Sequence, residues 1–275
     1  MLFSNATVIK LSAPIAADLD SILNDAPFEG VSKYARSGIG WCPLVEPDST
    51  TMTRAYGQRV LFCGRREEKV IPTSAVKEEV TARVLKQESL DGQPLSSSAK
   101  RSIKDDVLAE MLPRALCKSK RIQIYHDPEQ SALILNSGLE SEVEDLLNLL
   151  RTSIGTLNVY RWDASASIGV FTQWLAHKTL PDQLRLGSEC TLFDPESVAR
   201  VTWRGQSLDA TELTAHLDHG KRCERIQLIW NDHLKFTLDK HLTLRNLRLM
   251  DVDNEADEPL DGDDNSPYAV LDREF

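Results

Sequence analysis

Between Glu110 and Asp127 the chain carries Arg114, Lys118, Lys120 and Arg121 and no acidic residue. The guanidinium fork and the point-charged ammonium are the side chains that take phosphate oxygens. A run of them where a helix gives way to a strand forms a platform for a phosphodiester backbone. The same residues also read as a solvated turn, since short basic clusters are common on surfaces. A second basic group, Arg200, Arg204, Lys221, Arg222 and Arg225, has Asp218 and Glu224 among its members. Charges of opposite sign this close often partner each other, so this group is the less specific of the two.

No other chemistry assembles. His216 and His219 fall three apart on an expected helix, a spacing that metal sites use, but no third ligand stands at a characteristic distance. Asp261, Asp263 and Asp264 resemble part of a calcium loop without its closing glutamate. The chain lacks a Gly-x-x-x-x-Gly-Lys loop and a Gly-x-Ser-x-Gly elbow. Its five cysteines are scattered singly, with no Cys-x-x-Cys pair. No catalytic residue, metal or cofactor is therefore expected, and the protein reads as a non-enzyme. A metal-dependent nuclease built on the C-terminal carboxylates ranks last.

The net charge of −10 speaks against a nucleic-acid partner until its distribution is examined. Residues 251–275 hold ten acids and one base, so that segment carries nine of the ten negative charges. The other 250 residues are close to neutral, and one basic face on them is compatible with the overall balance. An apolar content of 41% with 27% charged residues fits a globular chain, and no run of eighteen apolar residues exists to span a membrane. The first ten residues read as a strand, not as a signal peptide, and the unpaired cysteines point to a reducing cytoplasm.

Periodicity then supplies the elements that must hold these cations. Alternation predicts strands over 7–11, 38–41, 58–64, 122–125, 132–135 and 157–162. Helical spacing predicts helices near 15–23, from 73 through Val76, Val80 and Val84, from a capping box at 102–105 to Pro113, and over 139–154 with Gly155 as the stop. The helix pair falls between strands and so projects from a sheet, with the basic joint at its end. After Asp163 the pattern restarts. A helix is expected over 170–177, extended chain over 183–193, a strand over 198–203 and a helix over 211–219. Three more strands follow at 225–230, 234–238 and 242–250. The expected fold class is α+β: mixed sheets in two halves, 1–162 and 163–250. A helical insertion at about 73–120 interrupts the first half, and an acidic tail of 251–275 closes the chain.

Several stretches taken together resemble the RdgC family. They are Arg66-Glu-Glu-Lys-Val-Ile-Pro72, Lys104-Asp-Asp-Val-Leu-Ala-Glu-Met-Leu-Pro-Arg-Ala115, Leu146-Leu-Asn-Leu-Leu-Arg-Thr-Ser-Ile-Gly155 and His219-Gly-Lys221, with Met1-Leu-Phe3 and Gly40-Trp41 near the start. They keep one order from the N-terminus to about residue 250. The resemblance implies a cytoplasmic, nucleoid-associated protein that binds double-stranded DNA with little sequence preference. It further implies a curved protomer, a homodimer closed as a ring around the duplex, and restraint of the RecA recombinase by occupation of DNA. By the same resemblance Arg204, Gln206 and Lys221 join Arg114, Lys118, Lys120 and Arg121 as DNA contacts, and Arg222 of the second basic group is placed with them. Leu116 takes the place of an aromatic residue at the arm tip where two copies meet, and Gly205 stands where a further cation is usual. A protein-interaction module that grips a recombinase or another partner directly, with little DNA affinity, is the alternative.

Overall fold

The computed structural model describes residues 3–15, 18–45, 51–208 and 210–250. The acidic segment of the sequence lies outside them. Instead of two mixed sheets, the strands form one antiparallel sheet, because the last strand, β12 (Leu244–Leu249), returns to pair with the first, β1 (Asn5–Leu11). From β1 the sheet continues one way through β6 (Ala132–Leu135), β5 (Leu116–Asp127) and β4 (Arg59–Val70) to β2 (Ser37–Cys42). The other way it runs from β12 through β11 (Leu234–Asp239), β10 (Arg222–Trp230) and β8 (Leu184–Phe193) to β9 (Arg200–Arg204). The short strands β3 (Thr53–Tyr56) and β7 (Val159–Tyr160) pair with β4 and β1.

Each half has its own core, and the two cores lie on opposite faces. In the first half, Ile9, Phe62, Ile122, Ile124, Leu133 and Leu135 meet Val143, Leu146, Leu147 and Leu150 of α4 (Glu140–Ile154) and Leu19 and Leu23 of α1 (Leu19–Asn24). In the second, Cys190, Leu192, Ile226, Leu228 and Phe236 meet Phe171 and Leu175 of α5 (Ser167–His177) and Leu213 of α6 (Thr211–Asp218). The register shows the change of side. Ala6 stands opposite Leu244, and Leu244 opposite Leu238, which packs on the second core. Ile9 and Leu11 alternate away from Ala6 onto the first. The helices of the first half thus pack on one face of the sheet and those of the second half on the other, and a small third cluster, Cys42, Leu44, Leu61 and Cys63, is buried on the far face of the first half.

The helix pair does project. β4 and β5 pair from Val60↔His126 out to Val70↔Leu116, and α2 (Thr73–Asp91) and α3 (Ser97–Met111) fill the connection beyond. This arm buries only Val76 and Val107 and relies on ion pairs, Arg83 with Glu110 at 2.7 Å and Lys100 with Glu88 at 2.9 Å. Gly92, at φ 67°, ends α2 in the left-handed conformation. The capping box expected at 102–105 is helix interior, because Ser96 caps α3 six residues earlier with its side chain on the Ala99 N–H. The basic joint is not a turn either. Residues 116–121 are strand, so the insertion closes with the 3-10 turn Leu112–Arg114.

Gly40 marks a close backbone approach. A Cβ there would lie 2.6 Å from the Phe28 Cα, in a segment held to Trp41 by the Phe28 N–H to Trp41 carbonyl bond at 2.7 Å. Backbone cannot swing aside as a side chain does. Gly40→Ala is expected to destabilise by about 2 kcal/mol, read as a fall in Tm of roughly 4–8 °C. An unchanged Tm would show that the Phe28 segment yields freely.

Candidate nucleic-acid interface

Strand alternation decides where the cations point. On β9 and β10, Val201, Trp203, Cys223 and Ile226 turn toward the second core, which sends Arg200, Arg204, Arg222 and Arg225 to the opposite face. Register extends the row. Arg225 is opposite Thr191, Ile229 is opposite both Arg185 and Lys235, and Lys235 is opposite Arg248. Two like charges directly across a strand pair repel each other, so Lys235 and Arg248 are a local cost in the isolated chain.

Carboxylates answer some of these cations and not others. Glu224 takes Arg200 at 2.6 Å and Lys240 at 3.4 Å. Burial pushes its carboxyl up, but those two cations outweigh it and hold the group below its ordinary value. Asp239 takes Arg245 at 2.8 Å, and Arg185 is bound to Asp232. Arg204, Arg222, Arg225, Lys235 and Arg248 form no ion pair with a described residue, and all but the half-buried Lys235 are exposed. Five cations in search of anions thus share one face of a sheet that no helix of the second half covers. Gln206 follows Gly205 (φ 70°) in the exposed turn after β9, next to that row. Lys221 precedes β10 and is half-buried; the Ser197 hydroxyl and the Glu196 N–H hold the nearby Asp194 carboxyl low, and Lys221 adds a smaller contribution.

The basic run of the first half is divided by the same alternation. Lys118 and Lys120 lie on the α4 side of β5 and Arg121 on the other side. Followed strand to strand through Ile124↔Leu135, Thr7↔Leu135 and Asn5↔Arg245, the side bearing Lys118 and Lys120 is also the side bearing Arg204 and Arg222. Lys118 is exposed across from Glu68. Lys120 binds the buried Glu142 at 2.7 Å, so its charge is largely spent within the fold. Arg121 reaches the Pro43 carbonyl and is half-buried. Arg114 is exposed at the root of the arm.

Leu116 is at that root too, not at the far end of the arm, which is the 92–96 connection. It is 81% exposed, and Val70 across from it is 50% exposed. Together with Tyr34, Met111 and Arg114 they border a cleft of about 880 Å³ between arm and sheet. An apolar opening of this kind on an otherwise charged arm is the surface of the molecule best suited to bury against protein.

His216 lies in α6 and His219 caps it, its Nδ1 2.5 Å from the Ala215 carbonyl. Among the described residues no three His, Cys, Asp or Glu side chains gather as a metal ion requires.

A family model described as "Putative exonuclease, RdgC" matches residues 1–275. The chain belongs to the RdgC family. It is 29% identical to the recombination-associated protein RdgC of Pseudoalteromonas translucida, over 100% of this chain and 92% of the relative. It is 30% identical to that of Halorhodospira halophila over the same shares, and 29% identical to that of Colwellia psychrerythraea over 100% and 91%. The RdgC match includes the acidic segment, further than the motifs alone reach. One description of the family names an exonuclease and the relatives are named for recombination, so the family is recombination-associated and the names differ on enzymatic activity. No helix among the described residues is long and apolar enough to cross a membrane. Lys235 and Arg248 escape sequence reasoning. Their signal is alternation, Leu234-Lys-Phe and Leu247-Arg-Leu, each putting a cation between apolar residues.

Proposed function

We propose that this protein is a non-enzymatic, sequence-indifferent binder of double-stranded DNA. Two copies close around the duplex, and occupation of DNA restrains a RecA-type recombinase. The observation that carries the reading is the row of Arg204, Arg222, Arg225, Lys235 and Arg248 on one sheet face, none of them in an ion pair with a described residue. Phosphates would relieve the Lys235–Arg248 repulsion, and counterion release would supply affinity that falls steeply with salt. The face is strand, and cations along a strand fit a backbone track better than they fit base edges. The cleft at Leu116, Val70 and Tyr34 supports the second element of the proposal, an apolar contact with another copy.

Mobility shifts on two unrelated random duplexes over a salt series test the reading. It predicts equal affinities for both, falling together as salt rises, and end-labelled strands that stay full length in magnesium. Shortened strands would establish a nuclease. Absence of binding at low salt would remove the DNA reading and leave the alternative, a module whose apolar cleft grips a protein partner directly.

A further inference from the structure

We propose that Cys42 and Cys63 form a dithiol site that small hydroperoxides oxidise to a disulfide. The two residues are directly opposed in the β2–β4 register. Trp41 directs its N–H and carbonyl outward to Ala26 and Phe28, so its pair with Gly64 is not hydrogen-bonded and the next pair, Cys42 with Cys63, is. Such a pair holds its Cα atoms about 5.5 Å apart, inside the roughly 4.4–6.8 Å span of disulfides, while its Cβ atoms stand about 1 Å wider than a disulfide's, so closing the bond draws the end of β2 inward. Both side chains face the small cluster with Leu44 and Leu61, Cys63 wholly buried and Cys42 nearly so.

A cation stands beside them. Cys63 is opposite Gln123 on β5, which makes Arg121 its diagonal neighbour on the same face. The guanidinium reaches the carbonyl of Pro43, the residue after Cys42, and its charge acts on the Cys63 thiol, which donates to the Gly64 carbonyl at 3.6 Å. A hydrogen bond from Cys42, together with Arg121, holds the Cys63 thiol below its usual value although burial pushes it up. The other buried pair of thiols behaves in the opposite way. Burial pushes Cys190 up to about 12 against the opposing charge of Lys178, and drives Cys223 up as well. A thiolate next to a second thiol and a fixed cation is the arrangement that reacts with peroxide.

The chemistry balances with the peroxide alone. The Cys63 thiolate attacks one peroxide oxygen, an S–O bond forms, the O–O bond breaks, and the departing hydroxide takes up a proton as water. Sulfur has lost two electrons and the peroxide has gained them. The Cys42 sulfur then attacks the sulfenic sulfur, the S–S bond forms, and the S–O bond breaks with loss of a second water. Both thiols are buried, so the reaction requires local opening at the end of β2, the outermost strand on that side of the sheet, where Cys42 sits. The crosslink would tie β2 to the ribbon that bears the arm.

The test uses the full chain carrying Cys117→Ser, which removes the exposed thiol. Hydrogen peroxide is titrated, remaining thiols are alkylated after denaturation, and peptides are mapped by mass. The expected product lacks two hydrogens and links the peptides of Cys42 and Cys63, with Cys190 and Cys223 still alkylated. Arg121→Gln should slow the reaction about tenfold by raising the thiol. Cys42→Ser should leave a Cys63 sulfenic acid that a cyclic dione captures, which keeps the proposal testable if Arg121→Gln fails to fold. Cys42 and Cys63 remaining reduced at peroxide levels that consume Cys117 of the parent chain would overturn it. So would a Cys42→Ser chain that captures no dione. The readout is a mass, so it is independent of whether the protein binds DNA.

Discussion

Replacing Arg204, Arg222 and Arg225 together by glutamine lowers affinity for a random duplex by about a hundredfold near 0.1 M salt. It also flattens the plot of log affinity against log salt by roughly 0.9 for each phosphate no longer neutralised, close to three in all. The three side chains project from β9 and β10 away from the second core and are exposed, so glutamine disturbs no packing and the Tm should stay put. The loss should be the same on any sequence, because cations on the DNA backbone position the protein without reading bases. Arg200 provides the comparison. Glu224 already holds it at 2.6 Å, and Arg200→Gln should weaken binding by less than any of the three. Affinity that survives the triple substitution would place the DNA elsewhere. A loss confined to one sequence would replace sequence indifference with base readout.

The second large effect concerns stability. Glu142 stands in the first turn of α4 and is 4% exposed, yet it carries a carboxylate. Lys120 donates to both of its oxygens, at 2.7 and 2.9 Å, and the buried Ser137 hydroxyl donates to one of them. Ser137 in turn accepts from the Leu139 N–H at 3.1 Å through its hydroxyl and from the Thr7 hydroxyl at 2.7 Å through its carbonyl. One carboxylate therefore fastens β5, β1 and the start of α4 to each other. Glu142→Ala removes the acceptor, leaves the Ser137 hydroxyl without its bond inside the fold and opens space beneath the helix. The expected cost is about 3 kcal/mol, seen as a fall in Tm of roughly 6–12 °C. Glu142→Gln should lose less, since it keeps the shape and an acceptor oxygen. A Tm within 2 °C or so of the parent after Glu142→Ala would mean the bonds of Glu142 only balance the desolvation of its carboxylate.

Particular residues show why parts of this molecule are legible in the chain. α4 is legible almost to the residue, because Val143, Leu146, Leu147 and Leu150 repeat at helical spacing and Gly155 stops the helix at φ 84°. The last three strands are equally plain, since their apolar residues alternate over one core. β4 is not. Only its first half has the apolar run expected of a strand, while Arg65-Arg-Glu-Glu-Lys69 reads as solvated chain until cross-strand pairing is known. Those charges are matched by neighbours, Arg65 with Glu67 at 2.8 Å and Arg66 with Asp145 of α4 at 3.0 Å. Long-range pairing of this kind has no local signature. For the same reason the basic run at 114–121 reads as a corner. Its strand character comes from β4 alongside it, and that strand places Lys120 and Arg121 on opposite faces.

The candidate site is half legible. Clustering in sequence points to Arg204 and Arg222, but Lys235 and Arg248 sit in different strands and meet only in the register. The single sheet is hidden as well, for it depends on β1 and β12, at opposite ends of the described chain, lying side by side. A pattern that restarts after Asp163 suggests two separate halves, and nothing local shows that their outer strands will pair.

The most direct test of the central claim, that two copies enclose the duplex, is topological. The protein is loaded at low salt onto a relaxed circular plasmid and onto the same plasmid cut once, and both are washed at about 1 M salt, where attraction to phosphate is largely screened. Enclosure predicts that the circle keeps its protein while the cut molecule sheds it from the ends. Equal release from both would contradict enclosure and leave ordinary electrostatic binding to an open face.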